Sequence, residues 1–380
     1  IKNLSFIFIS CKDIFDGQIN YKNARQITKA DFEETHKRTM LEVDDILLTN
    51  SGTIGRMAFV TDREATTKTT FQKSVAIIKP DKQKVLPRYL YYQLQNCVPQ
   101  FINSSNGSAQ KNLLLSTMRT FQIEIEENRE KQEKIANTLS AYDDLIENNQ
   151  KQIKLLEEAA QRLYKEWFVN LRFPGHENTK IVDGVPEGWN ECTVESFGTV
   201  ITGKTPPTSN KEYYTNGKVP FVTIPDMHNV VYPLKTEKRL TIEGAQTQKN
   251  KYIPPNSVMI SCIGTIGLVS IATEVCQTNQ QINSIILNNE DDLYFFYESM
   301  LRMKDLLDGL GSNGATMTNV NKSKLEKLII ISPSKDIVKQ YNDVCKPLFE
   351  SALNSSRKNV YLKNMREALL PKLMSGEVEV

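Results

Sequence analysis

Ile46-Leu47-Leu48-Thr49-Asn50-Ser51-Gly52-Thr53-Ile54-Gly55 decides how this chain is organised, because its pattern returns 212 residues later as Val258-Met259-Ile260-Ser261-Cys262-Ile263-Gly264-Thr265-Ile266-Gly267. Outward from this stretch, further matches keep nearly the same offset. Phe8-Ile9 answers Phe221-Val222, and Asp13-Ile14 answers Asp226-Met227. Gln72 with Ile77-Ile78 answers Gln280 with Ile285-Ile286, Tyr89 and Tyr92 answer Tyr294 and Tyr297, and Ser105-Asn106-Gly107 answers Ser312-Asn313-Gly314. A period this long is too large for a solenoid repeat and fits a duplicated domain plus a linker. The chain reads as a two-fold dimer fused head to tail.

At 380 residues, two or three domains are expected, each large enough for its own core. Hydrophobic content of 39% and charged content of 24% describe an ordinary globular protein. No apolar run reaches the ~20 residues that span a bilayer. Cys11, Cys97, Cys192, Cys262, Cys276 and Cys345 are scattered without a Cys-x-x-Cys pair, which points to reduced core thiols and a cytoplasmic setting. The second copy opens near Val185-Pro186-Glu187-Gly188-Trp189. The first has no counterpart of residues 186–217, so the first module is expected to lack its N-terminal part.

Net charge of +2 carries no nucleic-acid signature in itself, so its distribution matters. Residues 1–126 hold 17 Lys and Arg against 13 Asp and Glu, and residues 169–334 hold 15 against 17. Within the second module, residues 204–251 gather eight bases against four acids. Such a stretch suits phosphate contact, and equally suits a solvated mixed-charge face.

Between the modules the apolar residues step by four and three: Ile135, Leu139, Tyr142, Ile146, Asn149, Ile153, Leu156, Ala160, Leu163, Trp167. That is a heptad seam with one polar member at its middle. The register returns as Tyr341, Cys345, Leu348, Ala352, Ser355, Asn359, Leu362, Met365 and Leu369. Two related helices in one chain are expected to pair with each other, each ~40 residues and ~60 Å long. Because domain termini usually lie close together, antiparallel pairing places a module at each end. Asn149 and Ser355 then meet near the centres and fix the alignment. Leu155, Tyr164 and Phe168 lie off the seam and are expected to form an apolar docking surface.

Each module reads as mixed α/β with many short strands, among them Val75–Ile78, Ser284–Leu287 and Leu328–Ile331. Arg88–Leu94 and the stretch from Leu293 to Leu307 read as helices. The Gly-Thr-Ile-Gly segment is a strand-to-strand turn in which glycine supplies positive φ; it is either a hairpin turn alone or a donor of backbone amides to phosphate. Residues 105–112 and 311–319 are polar and rich in side-chain amides, which suit adenine edges, while lysine suits guanine or phosphate.

Gly198-Thr199-Val200-Ile201-Thr202-Gly203-Lys204-Thr205 matches the phosphate-loop pattern of nucleotide-binding proteins. That pattern needs a helix starting at Lys204-Thr205, and Pro206-Pro207 follow at once. An extended basic loop carrying Lys204, Thr205, Thr208, Lys211 and Tyr213 along a DNA backbone is the better reading. His36, His176 and His228 have no metal-ligand spacing, no metal site is expected, and no catalytic constellation stands out.

In this order of motifs the chain resembles the specificity subunit of type I restriction–modification enzymes. The resemblance rests on Val185–Trp189, on Gly203 to Tyr214 followed by Val219-Pro220-Phe221-Val222, and on Gly264-Thr265-Ile266-Gly267 followed by Asn279-Gln280-Gln281. It rests also on Leu156–Phe168 and Arg366–Leu373 as paired helix endings. The fold it implies is an α/β (α+β) pseudo-two-fold dumbbell, with two similar target-recognition domains separated by two long antiparallel coiled-coil helices. The expected divisions are 1–126 for the first recognition domain, 127–170 for the central helix, 171–334 for the second recognition domain and 335–380 for the C-terminal helix.

The function implied is non-catalytic: each domain reads one half of a bipartite site in double-stranded DNA. The helices set the spacing and dock two methyltransferase subunits, and restriction (motor-nuclease) subunits join. S-adenosylmethionine, ATP and Mg belong to those partners, with no cofactor on this chain and no membrane association. The DNA-binding candidates in the first module are Ser51, Thr53, Arg56, Gln72, Lys73, Asn106, Ser108, Gln110 and Lys111. In the second they are Lys204, Thr205, Thr208, Lys211, Tyr213, Thr265, Gln280, Gln281, Asn313, Thr316 and Thr318. The rival readings are a phosphate-loop nucleotide-binding protein built on Gly198–Thr205, and a coiled-coil scaffold without DNA binding.

Overall fold

The computed structural model describes residues 6–22, 24–105, 112–311 and 319–380. The chain divides into two compact units, one formed by Ile1–Leu145 with Leu362–Val380 and the other by Ile146–Tyr361. No described helix is long and apolar enough to cross a membrane.

In the first unit, Phe6–Ile9 is the centre of a three-stranded sheet, antiparallel to Arg25–Ile27 and parallel to Thr69–Phe71. A second sheet centres on Ile46–Thr49, antiparallel to both Met57–Phe59 and Val75–Ile78. All four residues of the central strand are buried, the pattern of a strand covered on both faces. Helix Pro87–Asn96 begins with proline at its first position, where the missing N–H costs nothing, and it buries Tyr89, Leu90, Tyr91, Tyr92 and Leu94.

The second unit repeats this plan. Val219–Val222 lies antiparallel to Lys238–Leu240 and parallel to Gln277–Thr278. Val258–Ser261 lies between Val269–Ile271 and Ile282–Leu287. Here the sheet gains a fourth strand, Gly198–Thr202, antiparallel to Ile282–Leu287, and a further pair joins Asn190–Thr193 to Ile329–Ser332. Among the described residues the first unit has no counterpart of either.

The repeat extends to backbone detail. Ser10 and Thr223 each open a short 3₁₀ turn and are capped reciprocally by Asp13 and Asp226, with both backbone N–H to carboxylate bonds at 2.8 Å. The register corrects one expected match. Ile46 faces Ile78 and Val258 faces Ile285, while Gln72 N and Asn279 N donate to Ile9 O and Val222 O respectively. Gln72 therefore answers Asn279, and Lys73 answers Gln280. In a strand this one-residue slip would put the wrong side chain on each face.

The first long helix spans Arg129–Tyr164 and closes with a π turn, Lys165–Val169. The second spans Lys335–Met374, passing through Pro347 near the exposed Asp343, whose freed carbonyl can be hydrated. Within each unit their segments run antiparallel. In the first, Ile135, Ala136 and Leu139 pack with Leu373, and Asp143 accepts from Arg366. In the second, Asn149 Nδ2 donates to Asn359 Oδ1 at 2.8 Å and Tyr341 Oη donates to Ala160 O at 3.2 Å.

Three expectations about these helices need correction. Asn149 meets Asn359, whose own Nδ2 donates to Ile146 O, while Ser355 is buried one turn away. Met365 is exposed, because the four–three step continues as Leu362, Arg366, Leu369, Leu373. Tyr164 and Phe168 are packed against Phe295 and Tyr341 inside the second unit, which leaves only Leu155 of the expected docking trio open to solvent.

Candidate nucleic-acid interface

The turn after each central strand is built by a single hydroxyl. Thr49 Oγ1 accepts from Arg56 N at 2.9 Å, and Ser261 Oγ accepts from Leu268 N at 2.9 Å. Gly55 N and Gly267 N then donate back to Thr49 O and Ser261 O, each at 3.0 Å. The closed turn requires φ of +78° at Gly52 and +80° at Gly264, which L side chains rarely adopt. Thr53 and Thr265 are held exposed at the tips.

In each unit this turn is joined to the far end of an amide-rich loop. Ser51 bridges to Asn112 and Leu113 N donates to Asn50 O at 2.8 Å; Ile263 bridges to Asn319 and Val320 N donates to Cys262 O at 2.9 Å. Asn106, Ser108, Gln110 and Lys111 of the first loop, and Asn313, Thr316 and Thr318 of the second, lie outside the described residues.

Around the second turn the side chains converge. Cys262 N donates to Gln281 O at 2.8 Å, and Gln281 Nε2 lies 3.6 Å from where a Cβ on Gly264 would stand. Asn279 Nδ2 donates to Gln281 Oε1 at 2.9 Å, and Thr205 Oγ1 donates to Gln280 Oε1 at 2.6 Å. Thr205, Gln280, Gln281 and Thr265 thus form one neighbourhood edged by the exposed Lys204. Both glutamine amides have an engaged oxygen and present N–H donors, suited to acceptors on base edges. Thr208 and Lys211 are exposed farther along the same loop, and Tyr213 O accepts from Thr241 N at 2.9 Å, tying the loop to the next helix.

In the first unit Asn50 N donates to Ser74 O at 3.0 Å, which brings the exposed Gln72 and Lys73 beside the turn. The Arg56 guanidinium lies over the Phe15 ring at 5.7 Å, and Phe15 is 60% exposed. Three residues beyond the candidates emerge here: Phe15, and the buried glutamine pair Gln248–Gln277 beneath the second site. An exposed aromatic in a two-residue strand and a paired amide in the core have no period or spacing to betray them.

The phosphate-loop reading of Gly198–Thr205 fails on geometry. Gly198–Thr202 is a sheet strand, and no helix starts at Lys204-Thr205 to aim its amides at phosphate. Gly203 is needed for another reason: a Cβ there would stand 2.1 Å from Asn279 O. Among the described residues no group of three or more His, Cys, Asp or Glu is placed to hold a metal ion. Burial pushes the thiols of Cys262 up to about 11 and of Cys276 and Cys345 up to about 12, which makes them poor nucleophiles at neutral pH.

Comparison with known proteins agrees with this duplicated arrangement. The sequence profile of a family described as type I restriction modification DNA specificity domain matches residues 5–158 and again 186–363. The chain is 32% identical over 367 residues to the type I restriction enzyme HindI specificity subunit of Haemophilus influenzae, covering 80% of each protein. It is 28% identical over 389 residues to the MjaIX specificity subunit of Methanocaldococcus jannaschii, covering 98% of this chain and 87% of that one. Among solved structures, the S subunit of a type I restriction-modification system from M. genitalium shares the fold with a TM-score of 0.56 at 14% identity, over 98% of this chain and 89% of that chain.

Proposed function

The chain belongs to the type I restriction-modification specificity family and carries its DNA specificity domain twice, and on that premise we propose that each copy reads one half of a bipartite, asymmetric site in double-stranded DNA. The observation that carries this reading is the repetition of one exposed assembly. In both units a hydroxyl-built glycine turn is bridged to an amide-rich loop and flanked by exposed Gln or Lys side chains. Amides and hydroxyls at turn tips read base edges, and lysines beside them hold phosphates. Residue types differ beside the two turns while the hydrogen bonds that build the turns repeat, which suits two different half-sites.

The chain has no catalytic role in this reading. Methyl transfer to a flipped adenine belongs to two methyltransferase subunits that bind S-adenosylmethionine, and ATP-dependent cleavage with Mg belongs to restriction subunits. The long helices supply the distance between the two readers and the surface on which the methyltransferases sit. A binding selection from random duplex, with this chain and a methyltransferase subunit together, tests the proposal. Recovery of two short conserved blocks separated by an unspecified gap is the expected result. A single contiguous block, or no enrichment, removes it, and methylation by the chain without its partner would contradict the non-catalytic role.

A further inference from the structure

On the reading that the second module meets DNA, we propose that Gln248, a buried residue, is a positioning residue for that contact. It is 3% exposed, and its Nε2 donates to Lys204 O at 2.7 Å and to Gln277 Oε1 at 2.8 Å. Gln277 is fully buried, and its own Nε2 donates to Ala245 O at 2.9 Å. Two amides therefore run as a chain of hydrogen bonds from helix Ile242–Gln246 to the main chain of Lys204.

The other polar group of that main chain is also held, because Lys204 N donates to Thr278 O at 3.0 Å. Two residues on, Tyr214 Oη donates to Pro206 O at 2.6 Å. The carbonyls on both sides of Thr205 are thus pinned from beneath, while the Lys204 side chain is exposed. A lysine on a slack loop would lose loop and side-chain freedom together on binding; on a pinned main chain only the side chain remains to be ordered. Gln248 Oε1 is buried without a partner, so the amide is a poor choice for packing alone. Its use lies in the donor it offers to Lys204.

The test uses the full chain assembled with its methyltransferase subunit and a linear duplex carrying the selected site, titrated across salt concentrations. Lys204→Gln should reduce the slope of log affinity against log salt by about one, the signature of one lost phosphate contact. Gln248→Met exchanges one neutral residue for another, yet should produce the same reduction and a several-fold weaker complex, with no further loss when combined with Lys204→Gln. Tyr214→Phe, which removes one hydroxyl from a half-buried ring and keeps the fold, should give a smaller change in the same direction. Near-ultraviolet circular dichroism verifies that each variant is folded. The proposal is overturned if folded Gln248→Met or Tyr214→Phe keeps the parent slope, or if Lys204→Gln leaves it unchanged. A parent complex with no salt-dependent duplex binding would instead bring down the DNA reading itself.

Discussion

The two modules share a skeleton and differ in what is hung on it. Ser10 and Thr223 are capped alike, Thr49 and Ser261 build the same turn, and each turn is bridged to its loop in the same way. Apart from the strands that only the second unit carries among the described residues, the differences collect at the exposed edge and just beneath it. Gln277 of the second unit bonds to Gln248, whereas Thr70 at the matching place in the first lies 3.5 Å from Thr39, hydroxyl to hydroxyl. Gln280 stands where the first unit has Lys73. Backbone geometry is set by a few short bonds that both copies must keep, so contact residues can diverge without moving the frame that presents them.

The largest expected effect falls on the second unit alone. Gly203→Val would force a side chain onto Asn279 O, 2.1 Å from the new Cβ, and onto Thr278 Oγ1 at 2.3 Å. We expect a loss of about 3 kcal/mol in that unit. Thermal unfolding should show it, and a binding selection should retain the first half-site and lose the second. Equal damage to both half-sites would break the claim that the modules read independently.

The helix segments give the next contrast. In the first unit Asp143 receives the Tyr92 hydroxyl at 2.6 Å and the Arg366 guanidinium, with Arg88 at 3.7 Å. In the second unit the helix segments share a neutral polar layer instead, the Asn149–Asn359 pair. Asp143→Ala strands a mostly buried arginine and should cost about 2–3 kcal/mol in chemical denaturation. Replacing both asparagines with leucine removes a neutral layer and should change stability by less than about 1 kcal/mol, at the expense of a unique alignment. A larger loss from the asparagine pair than from Asp143 would reverse this assignment.

Between those two effects lies a titration. Glu298, 2% exposed, lies on the helix Leu293–Arg302 of the second unit. Burial first, and then the nearby Glu157, push the Glu298 carboxyl up to about 8 from its usual 4.5. Across that window the unfolded chain has released the proton and the folded chain keeps it. Stability therefore falls as pH rises from about 4.5 to about 8 and levels off beyond. Glu298→Gln should flatten this slope and raise stability on the order of 2 kcal/mol at pH 8. An unchanged pH profile of unfolding would show that Glu298 is ionised in the folded state.

Much of this contrast is legible in the sequence and some is not, for identifiable reasons. The duplication, the helices and the turns announce themselves, because periodicity and glycine spacing are local properties of the chain. Partners across space are not local. The heptad marks Asn149, Ser355 and Asn359 alike as interior, but which pair meets depends on the axial shift between the helices. Gln72 and Gln280 match by letter, and only the sheet register shows that Gln72 is the equivalent of Asn279. Tyr164 and Phe168 read as off the seam, yet Tyr341 of the second long helix and Phe295 of the module cover them. Gly198–Thr205 fits a nucleotide loop by letter, and strand pairing overrules it. Gln248 and Gln277 carry no signal at all, because a buried amide is recognisable only by the carbonyl it serves.

We propose that the helix pair sets the spacing between the two half-sites, and lengthening that pair tests this most directly. One heptad inserted after Glu147 and another after Val360 keeps the seam in register and adds ~10 Å, close to three base pairs of duplex. Binding selection with the extended chain and its methyltransferase subunit should recover the same two half-site sequences with a gap about three base pairs longer. Recovery of the parent gap, or of altered half-site sequences, would contradict the account.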